Sequence, residues 1–376
     1  MRKIIYITGT RADYGLMRAT LFAISRDPMF RLQLIVTGMH LDPAHGKTQS
    51  EIESDGFEIA GYVETDLSGA DRSFMARAIG TMTIGFSGLL EHEQPDMVLL
   101  LGDRGEMLAG AIAALHLNIP VVHIHGGERS GTVDDPVRHA ISKMSHYHFT
   151  ATQEAAARLM KMGERAESVF CVGAPGLDGL AGEAKLSRLE CLNSVGFSES
   201  RPVALMVFHP VVQEVDEGPQ HVREIIDALI ELDFQTVVLT PNADLGGNEI
   251  LDALTAKSEH ADIRIFSHLR RGDFLSWLAH ADVMVGNSSS GIIEAATFGT
   301  PVVNIGKRQM LRERNANIVD VEPDGSAIRA ALAHSLKRGR FDGTNVYGDG
   351  ASAPRIANLL ASIPLDQSVL EKYCVY

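Results

Sequence analysis

Short apolar runs rich in Val, Ile and Leu recur along the chain, separated by stretches whose apolar residues return every three or four positions. The runs at 3–8 (KIIYIT), 32–37 (LQLIVT), 97–102 (MVLLLG) and 120–125 (PVVHIH) are nearly continuous, as expected of strands buried on both faces of a parallel sheet. Segments 16–25 and 106–117 between them are amphipathic and predict helices. His146, Tyr147 and His148 lead into a short strand, and 168–175 (SVFCVGAP) reads as the last strand of this half. A second series follows a polar, weakly patterned stretch at 176–201: VALMVF (203–208), TVVLTP (236–241), IRIFSH (263–268), DVMVGN (282–287) and PVVNIG (301–306). This alternation predicts an α/β protein of two Rossmann-like domains with parallel sheets, residues 1–177 and 178–355. A C-terminal helix over about 356–376 is expected to pack on the first domain, with Pro354 suited to its first turn.

Ligands of open parallel sheets bind beyond the carboxyl ends of the strands, so the polar residues after each run become the candidates. One handover is unusual. In VGNSSSGIIEAATFGTPVV (285–303) two glycines and three serines separate a strand from a short helix that is expected to stop at Gly299. A single serine would cap that helix. A run of small hydrogen-bonding residues also suits an anion lying against bare backbone N–H groups.

Composition narrows the class. The 376 residues are 45% hydrophobic and 22% charged, ordinary globular material with ample core. No run reaches the roughly 18 apolar residues of a membrane span, and the start reads as a first strand and not as a signal peptide. Three widely spaced cysteines fit a reducing cytoplasm, without a disulfide frame or thiolate metal site. A net charge of −14 argues against nucleic acid as a partner, yet a few arginines in a cleft still attract a small anion.

The strand ends carry the chemistry. TGTRADYG (8–15) offers glycine turns and Arg11, but matches neither a P-loop nor a dinucleotide fingerprint. LGDRGE (101–106) places Asp103 just past a buried strand, where it serves either chemistry or the N-cap of the next helix, with Arg104 as a planar cation beside it. HIHGGERSGTVDDPVRH (123–139) is the densest ionisable cluster; His125 with Glu128, Asp134, Asp135, Arg138 and His139 fits general acid–base catalysis. A metal site from His123, His125 and Glu128 is the competing idea, since the two histidines share a strand face, but the spacing matches no established metal pattern, and His123 reads as a core histidine. In the second half His209 (FHP), Asn242 (PNAD), Arg270 and Arg271, Ser288–Ser290, Glu294, Lys307 and Arg308 follow strands. Glu294, read as lying on the first helical turn, suits a capping-box-like contact or ribose hydroxyls. No nucleophile elbow appears and the serines have no positioned base, which speaks against covalent catalysis.

TGTRADYG, TGMHL, LGDR, HIHGGE with SGTVDDPVRHAISK, FHPV, PNAD, GNSSSGIIEAATFGTPVVNIG and KRQ, in this order, resemble the hydrolysing UDP-N-acetylglucosamine 2-epimerases over nearly the whole chain. The resemblance implies a GT-B arrangement with the active site in the cleft between the domains. It implies conversion of UDP-N-acetylglucosamine and water to N-acetylmannosamine and UDP, the opening step of sialic acid-type synthesis, by elimination of UDP to a glycal and hydration with inversion at C2. No cofactor or metal is implied. Dimers or tetramers are expected. By the same resemblance Ser288 and Ser289 hold the phosphates with Ser290 beside them, Glu294 holds the ribose, and Arg11, His209, Asn242 and Arg308 make further nucleotide contacts. His40 is placed on the sugar side, and Arg104, a planar cation for phosphate or carboxylate, is counted among the substrate contacts. Asp103 and Asp134 fall on the family's acidic positions, and Arg138 on an arginine that orients the loop. The third acidic position is His125, where relatives carry Glu, so the identity of the C2 base stays open. Two neighbouring activities share these motifs: the hydrolysing epimerase of UDP-2,4-diacetamido-2,4,6-trideoxyglucose, which feeds legionaminic acid, and the non-hydrolysing epimerase. A GT-B glycosyltransferase and a non-enzymatic nucleotide-sugar sensor are the rivals from other classes.

Overall fold

In a computed structural model of the protein, residues 1–43, 48–67, 73–130, 133–211, 214–241 and 246–375 are described. The chain divides into two units, one built from residues 1–129, 133–178 and 347–375, the other from Ser130 and Gly179–Val346. Each contains one parallel sheet.

The first sheet is formed by β1 (Arg2–Thr8), β2 (Phe30–Thr37), β3 (Glu58–Val63), β4 (Met97–Leu101), β5 (Val121–Ile124), β6 (Tyr147–Thr150) and β7 (Val169–Cys171). Their order is β3-β2-β1-β4-β5-β6-β7, every pair parallel. Alternation along β1 builds two cores. Ile4 and Tyr6 face Met17, Leu21 and Ile24 of helix Arg11–Ser25 and Ile356 and Leu360 of helix Ser352–Ser362. Ile5 and Ile7 face Met82, Phe86 and Leu90 of helix Phe74–Glu93 and Met107 and Ala111 of helix Gly105–His116. Complete burial of side chains such as Phe86 and Leu21 stabilises by about 1.5–3 kcal/mol each.

The second sheet repeats the plan with β8 (Val203–Val207), β9 (Gln235–Leu239), β10 (Ile263–Phe266), β11 (Val283–Gly286), β12 (Val302–Ile305) and β13 (Ile318–Val321). The order is β10-β9-β8-β11-β12-β13. Helices Gly218–Glu231, Gly247–Thr255 and Gly325–Arg338 cover one face through Val222, Ile226, Leu254, Ile328 and Leu332.

In each sheet the order reverses between the first strand and the fourth, and at such a switch point the loops diverge to open a crevice. TGTR therefore neighbours LGDR at the rim of the first unit, because β1 pairs with β4. FHP neighbours GNSS at the rim of the second, because β8 pairs with β11. β3 and β13 are half-buried edge strands absent from the sequence reading; EIAGYV carries an interior glycine and IVDV an aspartate, so neither reads as a continuous apolar run.

Candidate active site

At the first rim the turn after β1 is organised by a residue that the sequence reading passed over, Asp13. Its Oδ2 accepts from the N–H of Gly9 (3.1 Å), the N–H of Thr10 (2.7 Å) and the Thr10 hydroxyl (2.9 Å). Its Oδ1 accepts from the Tyr6 and Thr8 hydroxyls. Thr10 and Asp13 form a capping box, so helix Arg11–Ser25 starts with Arg11 at a fixed, half-buried position. His40, expected on the sugar side, is instead fully buried behind this turn. One ring nitrogen lies 3.0 Å from the Thr8 hydroxyl and the other 2.7 Å from that of Thr48. Both nitrogens are spent and burial lowers the pKa, so this neutral ring supports the turn.

Arg104 and Glu106 follow β4. Arg104 Nε lies 3.2 Å from Oε2 of the buried Glu106. A Cβ on Gly9 would come within 2.7 Å of Glu106 Cγ, which explains a glycine there. Helix Gly105–His116 has Arg104 at its N-cap and no side-chain cap, so the capping alternative for Asp103 is set aside. Asp103 Oδ2 accepts from Arg138 Nη2 instead.

The loop after β5 supplies the rest. His123 is buried, with Nε2 2.7 Å from the Gly102 carbonyl and Nδ1 2.9 Å from the Ser142 hydroxyl. The carbonyl demands a proton on Nε2, and burial pushes the pKa down to about 3, so His123 is a permanently neutral support for the turn that presents Asp103. The two-histidine metal idea fails here, because His123 has no nitrogen to offer. Among the described residues no group of three or more His, Cys, Asp or Glu is arranged to hold a metal ion.

His125 has φ 62°, a left-handed conformation that costs a non-glycine residue about 1 kcal/mol or more. Its Nδ1 contacts Glu128 Oε1. Glu128 Oε2 accepts from Arg138 Nη1 (3.1 Å), which also donates to the His125 carbonyl (3.2 Å). His125, Glu128 and Arg138 are each under 7% exposed. One buried guanidinium thus ties together two carboxylates and a histidine from three segments. The sequence reading placed Glu128 in the acid–base cluster and in the metal alternative, but not as the partner that holds His125. Asp134 opens helix Asp134–Met144, which carries Arg138, and is half-buried.

At the second rim Gly286 has φ 134°, and a Cβ there would lie 2.1 Å from the Val207 carbonyl oxygen, so only glycine fits. Asn287 follows, buried, with both side-chain polar atoms on the backbone of His209. Its carbonyl accepts from Arg308 Nη1 and Gln309 Nε2, both at 3.2 Å. Ser288 is the N-cap of helix Ser289–Ile293; its hydroxyl lies 2.8 Å from that of Ser290. All three serines are partly exposed. Glu294 corrects the sequence reading. The α-helix ends before it, so it closes no capping box; buried, it pairs with Arg271. Asn242 lies outside the described residues. No helix among the described residues is long and apolar enough to cross a membrane.

Comparison with known proteins adds three findings. Residues 22–361 match a family described as UDP-N-acetylglucosamine 2-epimerase. A UDP-N,N'-diacetylbacillosamine 2-epimerase (hydrolyzing) of Legionella pneumophila is 50% identical over 377 aligned positions, covering 100% of both chains, and a UDP-N-acetylglucosamine 2-epimerase of Neisseria meningitidis is 35% identical over 96% of this chain and 95% of that one. In fold, the crystal structure of a Neisseria meningitidis UDP-GlcNAc 2-epimerase bound to UDP-GlcNAc matches with TM-score 0.81 at 18% identity, covering 95% of this chain and 99% of the other.

Proposed function

We propose that this chain, which belongs to the UDP-N-acetylglucosamine 2-epimerase family, is a hydrolysing epimerase of UDP-N,N'-diacetylbacillosamine, that is, UDP-2,4-diacetamido-2,4,6-trideoxyglucose. The products are the free 2-epimeric sugar and UDP. The observation that carries the substrate is the 50% identity over the full length to a relative bearing that name, against 35% to one named for UDP-N-acetylglucosamine. The sequence reading put these two in the opposite order, because the shared motifs do not report on sugar C4 and C6.

The reaction asks for two things. A pyrophosphate must leave from C1 with its charge stabilised, and a weakly acidic C2 proton must be removed as it goes. We assign the first to the second rim: the partly exposed hydroxyls of Ser288–Ser290, with Arg308 on the same loop framework, suit a diphosphate without a metal. Glu294 is the ribose candidate, oriented by Arg271. We assign the proton transfers to the first rim, where Arg138 contacts both Asp103 and the His125 carbonyl, with Asp134, which opens the helix that carries Arg138, as a further candidate. Every 1.4 kcal/mol of leaving-group stabilisation is worth about tenfold in rate, which is why a dedicated phosphate cradle matters.

UDP release measured side by side with the two donors tests the substrate. A higher kcat/KM with UDP-N,N'-diacetylbacillosamine is expected; a clear preference for UDP-N-acetylglucosamine would return the reading to the sialic acid-type reaction.

A further inference from the structure

Every polar atom of His125 is pinned except one. Its N–H donates to the Phe149 carbonyl (3.0 Å), its carbonyl accepts from Arg138 Nη1 (3.2 Å), and Nδ1 contacts Glu128 Oε1. Nε2 is buried and has no hydrogen-bond partner. A strained backbone and an orphaned buried nitrogen on one residue are both costly, and they persist together where the group has a function.

We propose that Nε2 of His125 is the base that takes the C2 proton, and that Glu128 is the positioning residue that keeps the proton on Nδ1 so that Nε2 presents its lone pair. The inference rests on the epimerase reading and names the base that the sequence left open. A carboxylate accepts only, so its partner nitrogen carries the hydrogen and the other nitrogen is the acceptor. Glu128 is held in turn by Arg138, whose second arm holds Asp103.

Glu128 and Asp103 both pair with the guanidinium of Arg138, so the group that orients His125 and the carboxylate after β4 are fixed by one side chain.

In the step itself Nε2 takes the proton from C2. The C–H electron pair becomes the C1=C2 double bond, and the C1–O bond breaks with its pair leaving on UDP. Hydration then places the hydroxyl of water on C1 and a proton on C2 from the opposite face, and His125 returns its proton to solvent. The sum is UDP-sugar plus water to 2-epimeric sugar plus UDP, with no oxidant or reductant.

The test uses the full chain with UDP-N,N'-diacetylbacillosamine and UDP-N-acetylglucosamine in heavy water. His125→Gln is expected to lower kcat by about 10²- to 10⁴-fold, the usual loss of a general base. Glu128→Gln should lower kcat by about tenfold or more while leaving KM nearly unchanged, since an amide can also donate to Nδ1 and no longer fixes the tautomer. Glu128→Asp should retain more activity than Glu128→Gln. His125→Glu should recover part of the turnover, with its acid limb moved toward carboxylate pH values. UDP affinity and the near-ultraviolet spectrum should be unchanged in all four, which separates lost positioning from lost folding. Product from the wild type together with near-normal turnover in either Glu128→Gln or His125→Gln overturns this assignment alone. Failure of the wild type to release UDP from either donor overturns the epimerase reading, and the assignment with it.

Discussion

The side chain of Asn287 makes two hydrogen bonds to one residue, His209: Oδ1 accepts from its N–H at 2.7 Å and Nδ2 donates to its carbonyl at 2.8 Å. The amide thereby imitates a strand partner and extends the β8–β11 pairing past the point where Gly286 turns the chain away. Leaving both backbone groups unsatisfied in a buried position costs about 1–3 kcal/mol each. Asn287→Ala is therefore expected to lower the melting temperature by several degrees and to weaken UDP binding, because it loosens both His209 and the serine loop. Ser288→Ala combined with Ser289→Ala removes two partly exposed hydroxyls, one of which caps only the five-residue helix Ser289–Ile293. It should weaken UDP binding at least about tenfold while leaving the melting temperature within a degree or two. Calorimetric titration with UDP and a thermal scan of both variants check the contrast; equal effects on stability would contradict it.

Acid should destabilise the protein well before its carboxylates are all protonated. His123 and His146 are held neutral by burial, with pKa values pushed down to about 3 and about 4. Unfolded, both titrate near 6.5, so between these limits the unfolded chain binds more protons and stability falls as pH falls. Glu164 adds to the slope lower down. Burial raises its pKa, but hydrogen bonds from His148, Lys143 and Lys372 outweigh this and bring it to about 2. Its contribution is complete above about 4.5 and is lost as pH drops toward 2. For His123 alone the effect amounts to a few kcal/mol. Thermal scans from pH 8 to pH 4 should show a plateau near neutrality and a steep fall below about 6.5; a flat profile down to pH 4 would contradict it.

Much of this was legible in the primary structure, for identifiable reasons. Buried parallel strands read as continuous apolar runs, so eleven of the thirteen strands among the described residues stood out, and strand ends locate polar residues at one rim. Strand order was not legible. It follows from crossover connections, and it brings TGTR beside LGDR and FHP beside GNSS. Single residues with more than one plausible use were also ambiguous. Asp103 looked equally like a cap, and only the approach of Arg138, 35 residues later, resolved it. His40 looked like a sugar contact until its two hydroxyl partners appeared, whereas His123, read as a core histidine, is bonded to a carbonyl and a hydroxyl as such a residue should be. Asp13 and Glu128 gave the weakest signals because their partners are backbone groups or buried side chains, which local spacing does not reveal.

The central claim is that the enzyme exchanges the C2 proton while it cleaves the sugar–phosphate bond. Incubation with the UDP-sugar in heavy water, followed by mass and proton spectra of the products, tests it most directly. The account predicts UDP and a free sugar that is inverted at C2 and carries one deuterium there. An intact UDP-sugar product, or a released sugar with hydrogen still at C2, would contradict it.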